Sequence, residues 1–127
     1  MNPNIPAVVC PKESGTYKVV QFLDNANNHY LRIAPSGNPN ASHKEIVSEF
    51  LNEAGIEKCI KDQIVYPTTK DIEIEGAARV QISLEHKTAE FFGFSMDYPI
   101  ELNKASLEAL GQAYPEWNIS YDPRRYE

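Results

Sequence analysis

Three histidines are the side chains in this sequence best suited to proton transfer or nucleophilic attack near neutral pH. His86 lies in a predicted turn and His29 opens a predicted strand, and neither has an obvious partner. His43 differs because it takes the first position of a predicted helix, where unpaired N–H groups and the helix dipole attract anions. Two interpretations of His43 stay open from position alone: an exposed histidine at a helix start, or part of an anion site.

Other common catalytic and metal-binding patterns are missing from the sequence. It contains no HxH, HExxH, GxSxG or GxGxxG pattern and no Walker-type phosphate loop. The acidic residues are spread over predicted strands and helices, so we predict no metal site and expect no cofactor. Cys10 and Cys59 lie far apart and outside any CxxC pattern, which is typical of two reduced thiols.

The element that must position His43 is a predicted helix over 43–54. Ser42 and Glu45 have the spacing of a capping box, and apolar residues recur on one helical face after them. Gly55 is predicted to end the helix, and 56–60 to add a further turn. The loop at 35–40 contains two prolines and a glycine, which predicts irregular structure.

Strands account for most of the remaining pattern. Alternating or β-branched runs predict strands, and the first two are expected to form a hairpin. A second helix is predicted over 103–113, stopped by Tyr114 and Pro115. The order predicts an α+β fold, with a single mixed, mainly antiparallel β-sheet and two principal α-helices packed on it. The predicted strands are 15–23, 29–33, 71–75, 80–85, 89–94 and 117–121.

Length and charge narrow the classes of function. The chain has 127 residues, which is one ordinary domain, and we expect a single domain over 1–127. Its formal net charge of −6 argues against nucleic acid as a partner. No apolar stretch approaches the roughly 20 residues that span a bilayer, and the first residues lack the features of a signal peptide. We therefore expect a cytoplasmic protein without a membrane partner, and we separately expect a monomer.

Five stretches, taken in order, resemble motifs of one family. Residues 93–98, Gly-Phe-Ser-Met-Asp-Tyr, follow a predicted strand and resemble the Gly-Tyr-Ser-Met-x-Tyr of the phosphohistidine phosphatase family, also called the Janus or Ocnus family. Residues 43–50 are similar to the family's helix that begins with its catalytic histidine. The other three stretches resemble the family's first strand, second strand and glycine-arginine motif, and they are 15–20, 30–32 and 76–80.

The resemblance implies a metal-independent phosphatase that hydrolyses phosphoramidate bonds, with a phosphohistidine-containing protein or a small phosphoramidate as substrate. It implies that His43 is the catalytic base or nucleophile. It also implies a set of phosphate-binding residues: Lys18, Arg32, Arg79, Ser95, Met96 and Asp97. If it holds, a small cationic pocket should interrupt an overall acidic surface.

Two positions depart from the family pattern and keep alternatives open. Ser42 stands where the family has a tyrosine, and Asp97 replaces a small residue in the loop expected to hold phosphate. One alternative is a module of the same fold that binds an anion or a phosphoprotein without turnover. Another is an acidic interaction or inhibitor protein, in which the cations and His43 need not converge.

Overall fold

The computed structural model describes residues 4–34, 38 and 40–125 and confirms the α+β fold. Five strands form one mixed sheet in the order β2-β1-β5-β6-β7, and β3 and β4 form a separate hairpin. Every neighbouring pair in the sheet is antiparallel except β6 and β7. The elements are β1 Gly15–Asp24, β2 His29–Ile33, α1 His43–Ala54, β3 Lys58–Lys61, β4 Ile64–Pro67, β5 Ile72–Ser83, β6 Thr88–Phe92, α2 Lys104–Ala113 and β7 Asn118–Asp122.

The two helices pack on opposite faces of this sheet. Phe22 of β1 stacks on Phe50 of α1 with ring centroids 4.0 Å apart, and Tyr30 of β2 also contacts Phe50. Leu31, the next residue of β2, instead lines a small apolar cavity together with Leu110 of α2. Successive side chains of a strand point to opposite faces, so the helices lie on either side of the sheet. In the described part of the chain, no helix is long and apolar enough to span a membrane.

Helix α1 has the predicted bounds because both of its ends carry local signals. Ser42 accepts a hydrogen bond from the backbone N–H of Glu45, and the Glu45 carboxylate accepts one from the N–H of Ser42, which completes the capping box. At the other end Gly55 has a φ of 72°, the left-handed conformation that glycine adopts without strain. The N–H of Ile56 then donates to the carbonyl oxygen of Leu51, and Ile56 is buried. The loop predicted at 35–40 lies mostly outside the described residues.

Helix α2 is attached to the sheet through a buried amide. Gln21 of β1 is fully buried, and its Oε1 accepts a hydrogen bond from the backbone N–H of Asn103 at 2.7 Å. The Asn103 side chain caps the helix by accepting from the N–H groups of Ala105 and Ser106, and it donates to Glu75. Asn103 is therefore the cap, and the helix itself begins one residue later than predicted.

The segment after α1 corrects one prediction. Residues 56–60 do not add a helical turn, because the chain reverses and forms the β3–β4 hairpin. Asp62 and Gln63, at the tip, have φ values of 52° and 68°. Two left-handed residues in a row make the turn that best matches the twist of paired strands, although glycine and asparagine are its usual residues. The absence of glycine there explains why the hairpin was not predicted.

Strand β5 corrects a second prediction. It runs without a break from Ile72 to Ser83, where two strands at 71–75 and 80–85 were expected. A bulge lies inside it: Gln21 pairs with Gly76 and Phe22 with Ile74, so Glu75 has no residue of β1 directly opposite it. This position in the strand requires glycine because the backbone of residues 101 and 102 approaches it closely. A Cβ atom at this position would lie 2.7 Å from the carbonyl oxygen of Glu101.

This packing predicts opposite effects for two glycine-to-alanine substitutions. Gly76→Ala should lower the free energy of unfolding by about 1–3 kcal/mol, because the methyl group meets backbone that has no room to move. Gly111→Ala should raise it by about 0.5–1 kcal/mol, since Gly111 is inside α2 and the nearest atom to the new methyl is 4.0 Å away. Urea denaturation measures both, and equal values for the two variants would contradict the close approach at Gly76.

Candidate functional site

One open pocket, of about 320 Å³, collects six of the seven predicted site residues. Its volume is within the range of about 300–1,000 Å³ that is usual for ligand sites. The cations, the histidine and the loop predicted to bind phosphate are therefore neighbours in space, although they are distant in sequence. The lining residues are Lys18, Ser42, His43, Arg79, Gly93, Phe94, Ser95, Met96 and Asp97.

The sheet register brings the two cations together. Lys18 of β1 is directly opposite Arg79 of β5, and Arg79 is in turn opposite Phe92, the last residue of β6. Directly opposed residues have Cβ atoms about 4.5–5.5 Å apart and share a face of the sheet. The chain then leaves β6 at Gly93, whose φ of +74° favours glycine, and enters the loop that forms the other wall of the pocket.

His43 is held in one orientation by a buried hydrogen bond. Its Nε2 lies 2.7 Å from the carbonyl oxygen of Ala78 in β5, and only 7% of the surface of His43 is exposed. A carbonyl oxygen only accepts, so Nε2 carries the proton and the neutral ring keeps its lone pair on Nδ1. Nδ1 has no partner among the described residues, and every fully buried side-chain nitrogen or oxygen there has one. Nδ1 is therefore accessible.

The surroundings of His43 keep its ring neutral. The pKa of His43 lies below 6.5, and burial of the ring is the largest cause. The hydrogen bond to Ala78 acts in the opposite direction and raises this pKa. The positive charges of Lys18 and Arg79 lower this pKa further, whereas the carboxylate of Asp97 raises it. Near pH 7 His43 is consequently a neutral base with an unprotonated Nδ1.

The loop from 93 to 97 offers backbone donors to the same pocket. The N–H groups of Ser95, Met96 and Asp97 donate to no acceptor within the described part of the chain. Consecutive backbone N–H groups that point to one side of a turn are a common way to bind an anion. Ser95 is buried, and its Oγ accepts a hydrogen bond from the N–H of Tyr98 at 3.2 Å. The Ser95 hydroxyl therefore shapes the loop and leaves the backbone donors available.

The charge of the pocket is opposite in sign to that of the whole chain. Lys18 and Arg79 face one carboxylate, Asp97, which leaves a side-chain charge of +1 on a protein whose net charge is −6. Such a local inversion attracts an anion to one place on an acidic surface. Within residues 4–34, 38 and 40–125, no three His, Cys, Asp or Glu side chains are grouped as metal ligands.

Arg32 is the predicted site residue that the structure does not bring to the pocket. Its guanidinium forms a two-point ion pair with Glu53 of α1, with both nitrogen–oxygen distances at 3.0 Å. The same group donates to the carbonyl oxygens of Pro6, Ala7 and Leu31. The predicted phosphate-binding role of Arg32 is thus replaced by a structural one, because its donors hold the N-terminal segment and α1 against β2.

Two contributors to the site were not predicted from sequence. The carbonyl oxygen of Ala78 sets the tautomer of His43, and a backbone acceptor of this kind has no sequence signature. Phe94 forms part of the lining and is half-exposed. An aromatic residue exposed immediately after a buried strand end is a signal that could have indicated its position.

The sequence matches no model of a protein family and is not significantly similar to any curated protein. The motif resemblance and the pocket geometry therefore carry the functional inference.

The charges around His43 predict how its pKa responds to substitution. The pKa of His43, followed by NMR of its ring protons, should lie below 6.5 in the free protein. Asp97→Asn should lower it further because it removes the carboxylate that favours the imidazolium, and Lys18→Met should raise it. Shifts of the opposite sign in these two variants would contradict the geometry.

The same pKa has a consequence for stability. The pKa of His43 is lower in the folded chain than in the unfolded chain, so the unfolded chain binds more protons at any pH between these two pKa values. The free energy of unfolding should therefore fall as the pH falls through about 6.5.

Arg32 and Lys18 are predicted to separate stability from anion binding. Arg32→Ala should lower the free energy of unfolding by about 2–3 kcal/mol, because it removes a buried donor set and leaves carbonyl acceptors unpaired. It should leave the affinity for inorganic phosphate unchanged under conditions where the protein is folded. Lys18→Ala should weaken phosphate binding with little loss of stability. Equal loss of phosphate affinity in both variants would return Arg32 to the site.

Proposed function

We propose that this protein is a metal-independent phosphatase that hydrolyses phosphoramidate bonds, with phosphohistidine as its main substrate, and that it acts as a monomer in the cytoplasm. One observation carries the proposal: an accessible, unprotonated Nδ1 of His43 shares a pocket with two cations and with three backbone N–H groups that have no acceptor in the described part of the chain. A general base or nucleophile beside donors for phosphoryl oxygens is the minimum set for this reaction.

The reaction follows from the neutral state of His43. As a base, Nδ1 takes a proton from a water molecule while the water oxygen bonds to phosphorus and the P–N bond breaks. The released imidazole nitrogen then takes up a proton, and the products are phosphate and histidine. As a nucleophile, Nδ1 would itself bond to phosphorus as the substrate P–N bond breaks and its imidazole leaves, and water would then break the new P–Nδ1 bond to give phosphate and the free histidine side chain. The hydrogen bond from Nε2 to Ala78 holds the ring for either route and stabilises positive charge on it.

Charge neutralisation supplies the rest of the catalysis. Phosphoryl transfer passes through a loose transition state with charge spread over the phosphoryl oxygens, so positioned donors and cations supply most of the rate enhancement. Lys18 and Arg79 lie on neighbouring strands, and they line the same pocket as His43 and residues 95–97. A P–N bond is more labile than a phosphate ester, so these groups need to lower the activation barrier by less than they would for an ester.

A second candidate is an anion-binding module without turnover. Asp97 favours it, because a carboxylate in the pocket opposes the binding of a dianion and raises the pKa of His43 towards the inactive imidazolium. An acidic interaction or inhibitor protein has less support, since it does not require Lys18, Arg79 and His43 to line one pocket.

Hydrolysis of a phosphohistidine peptide tests the proposal. The wild type should release phosphate at a rate that a metal chelator leaves unchanged, and His43→Ala should lower kcat/KM by about 10²–10⁴-fold. His43→Gln, whose amide can still donate to Ala78, should be similarly inactive while it remains folded. His86→Ala is the matched control, because His86 is exposed in a turn outside the pocket.

The outcomes separate the two candidates. Equal rates for wild type and His43→Ala would refute the catalytic role of His43. Phosphate-induced NMR shifts at 43–45 and 95–97 without any hydrolysis by the wild type would establish the binding module instead.

A further inference from the structure

The pocket lined by Lys18, His43, Arg79 and residues 93–97 is called the phosphate pocket below. We propose that a groove next to it binds the polypeptide that flanks the phosphorylated residue, and that this groove prefers apolar side chains. This flanking groove is formed by residues 66–74 and 97–100 and has a volume of about 470 Å³. The proposal rests on the proposed function for the phosphoryl group, and it adds that the substrate is a protein segment with apolar neighbours.

The flanking groove adjoins the phosphate pocket at one residue. Asp97 lines both, and the loop that carries it runs directly from Met96 in the pocket to Ile100 in the groove. In the proposed complex, a phosphoryl group near His43 leaves the neighbouring residues of its substrate within reach of the groove. A free phosphate or a small phosphoramidate would fill the pocket and leave the groove empty.

Exposed apolar side chains are concentrated around these two cavities. Met96 is 87% exposed and Phe94 51%, and both line the phosphate pocket. Ile100 is 43% exposed and Tyr66 37%, and both line the flanking groove. Large apolar groups that face solvent side by side are a common mark of a surface that binds another chain. Their position around a cationic pocket indicates a ligand with a charged centre and apolar flanks.

The walls of the groove are held in place before any ligand arrives. The hydroxyl of Tyr98 donates a hydrogen bond to the carbonyl oxygen of Val65 at 2.7 Å, which ties the 97–100 loop to the β3–β4 hairpin. The rings of Tyr66 and Tyr98 also meet edge to face, with centroids 6.0 Å apart. Burial raises the pKa of Tyr98, so its hydroxyl keeps the proton that makes this bond. A preformed groove costs a ligand little ordering on binding.

The charges in the groove disfavour a second phosphate site. Its lining has one cation, Lys70, and two carboxylates, Glu73 and Asp97, so its side-chain charge is −1 where that of the phosphate pocket is +1. The remaining lining is largely apolar, with aromatic, proline and isoleucine side chains. Apolar residues on either side of the phosphorylated one fit this surface, whereas acidic residues do not.

Binding of two matched peptides tests the groove independently of turnover. Both carry a non-hydrolysable phosphohistidine analogue, one flanked on each side by leucines and the other by glycines. The leucine peptide should bind the wild type about tenfold more tightly, as burial of one such side chain provides. Its NMR shifts should extend over 66–74 and 97–100, whereas inorganic phosphate alone should shift only 43–45 and 95–97.

Substitutions in the groove should remove this preference without affecting phosphate. Ile100→Ser and Tyr66→Ser should bind the two peptides equally and inorganic phosphate as the wild type does. Ile60→Ser is the matched control, because Ile60 is 69% exposed and lines neither cavity. It should keep the preference.

Three results would overturn the groove: equal affinity of the wild type for both peptides, a preference that survives in both groove variants, or parallel loss of phosphate binding in them. Failure of the proposed function would give a different result, because the wild type would then distinguish the two peptides in binding but would hydrolyse no phosphohistidine substrate.

Discussion

The hydrogen bond between Nε2 of His43 and the carbonyl oxygen of Ala78 joins the first residue of α1 to the central strand of the sheet. It fixes three properties together: the orientation of the ring, the nitrogen that carries the proton, and the distance of the helix start from β5. Every chemical role available to His43 depends on the accessible Nδ1 that this bond leaves behind. The capping box at Ser42 and Glu45 supports it by beginning the helix at the required residue.

The remaining groups reach His43 through the register of the sheet. β5 pairs with β1 on one side and with β6 on the other, so it aligns Lys18, Arg79 and the end of β6 in one row. A shift of one residue in the β1–β5 pairing would turn one of the two cations to the opposite face, where α2 packs. The bulge at Glu75 and the close approach at Gly76 lie outside this row, which leaves the register beside the pocket regular.

Local signals made α1, the first hairpin and most strands predictable, because caps, turns and alternation act over a few residues. The β3–β4 hairpin was missed since Asp62 and Gln63 adopt left-handed conformations without glycine. Arg32 was assigned to the site because a sequence does not show that Glu53, 21 residues away, takes its guanidinium. The convergence at the pocket was predictable only through the motif resemblance. The tautomer of His43 depends on a backbone oxygen in another element and could not be predicted.

Lys18 and Arg79 are opposed across two strands, and neither forms an ion pair with a carboxylate in the part of the chain that the structure describes. Like charges in this arrangement repel and oppose strand pairing. An anion between them would turn that repulsion into attraction and would favour the folded state by mass action. The pairing of Lys18 with Arg79 thus disfavours the β1–β5 register locally, and a bound anion would offset that cost.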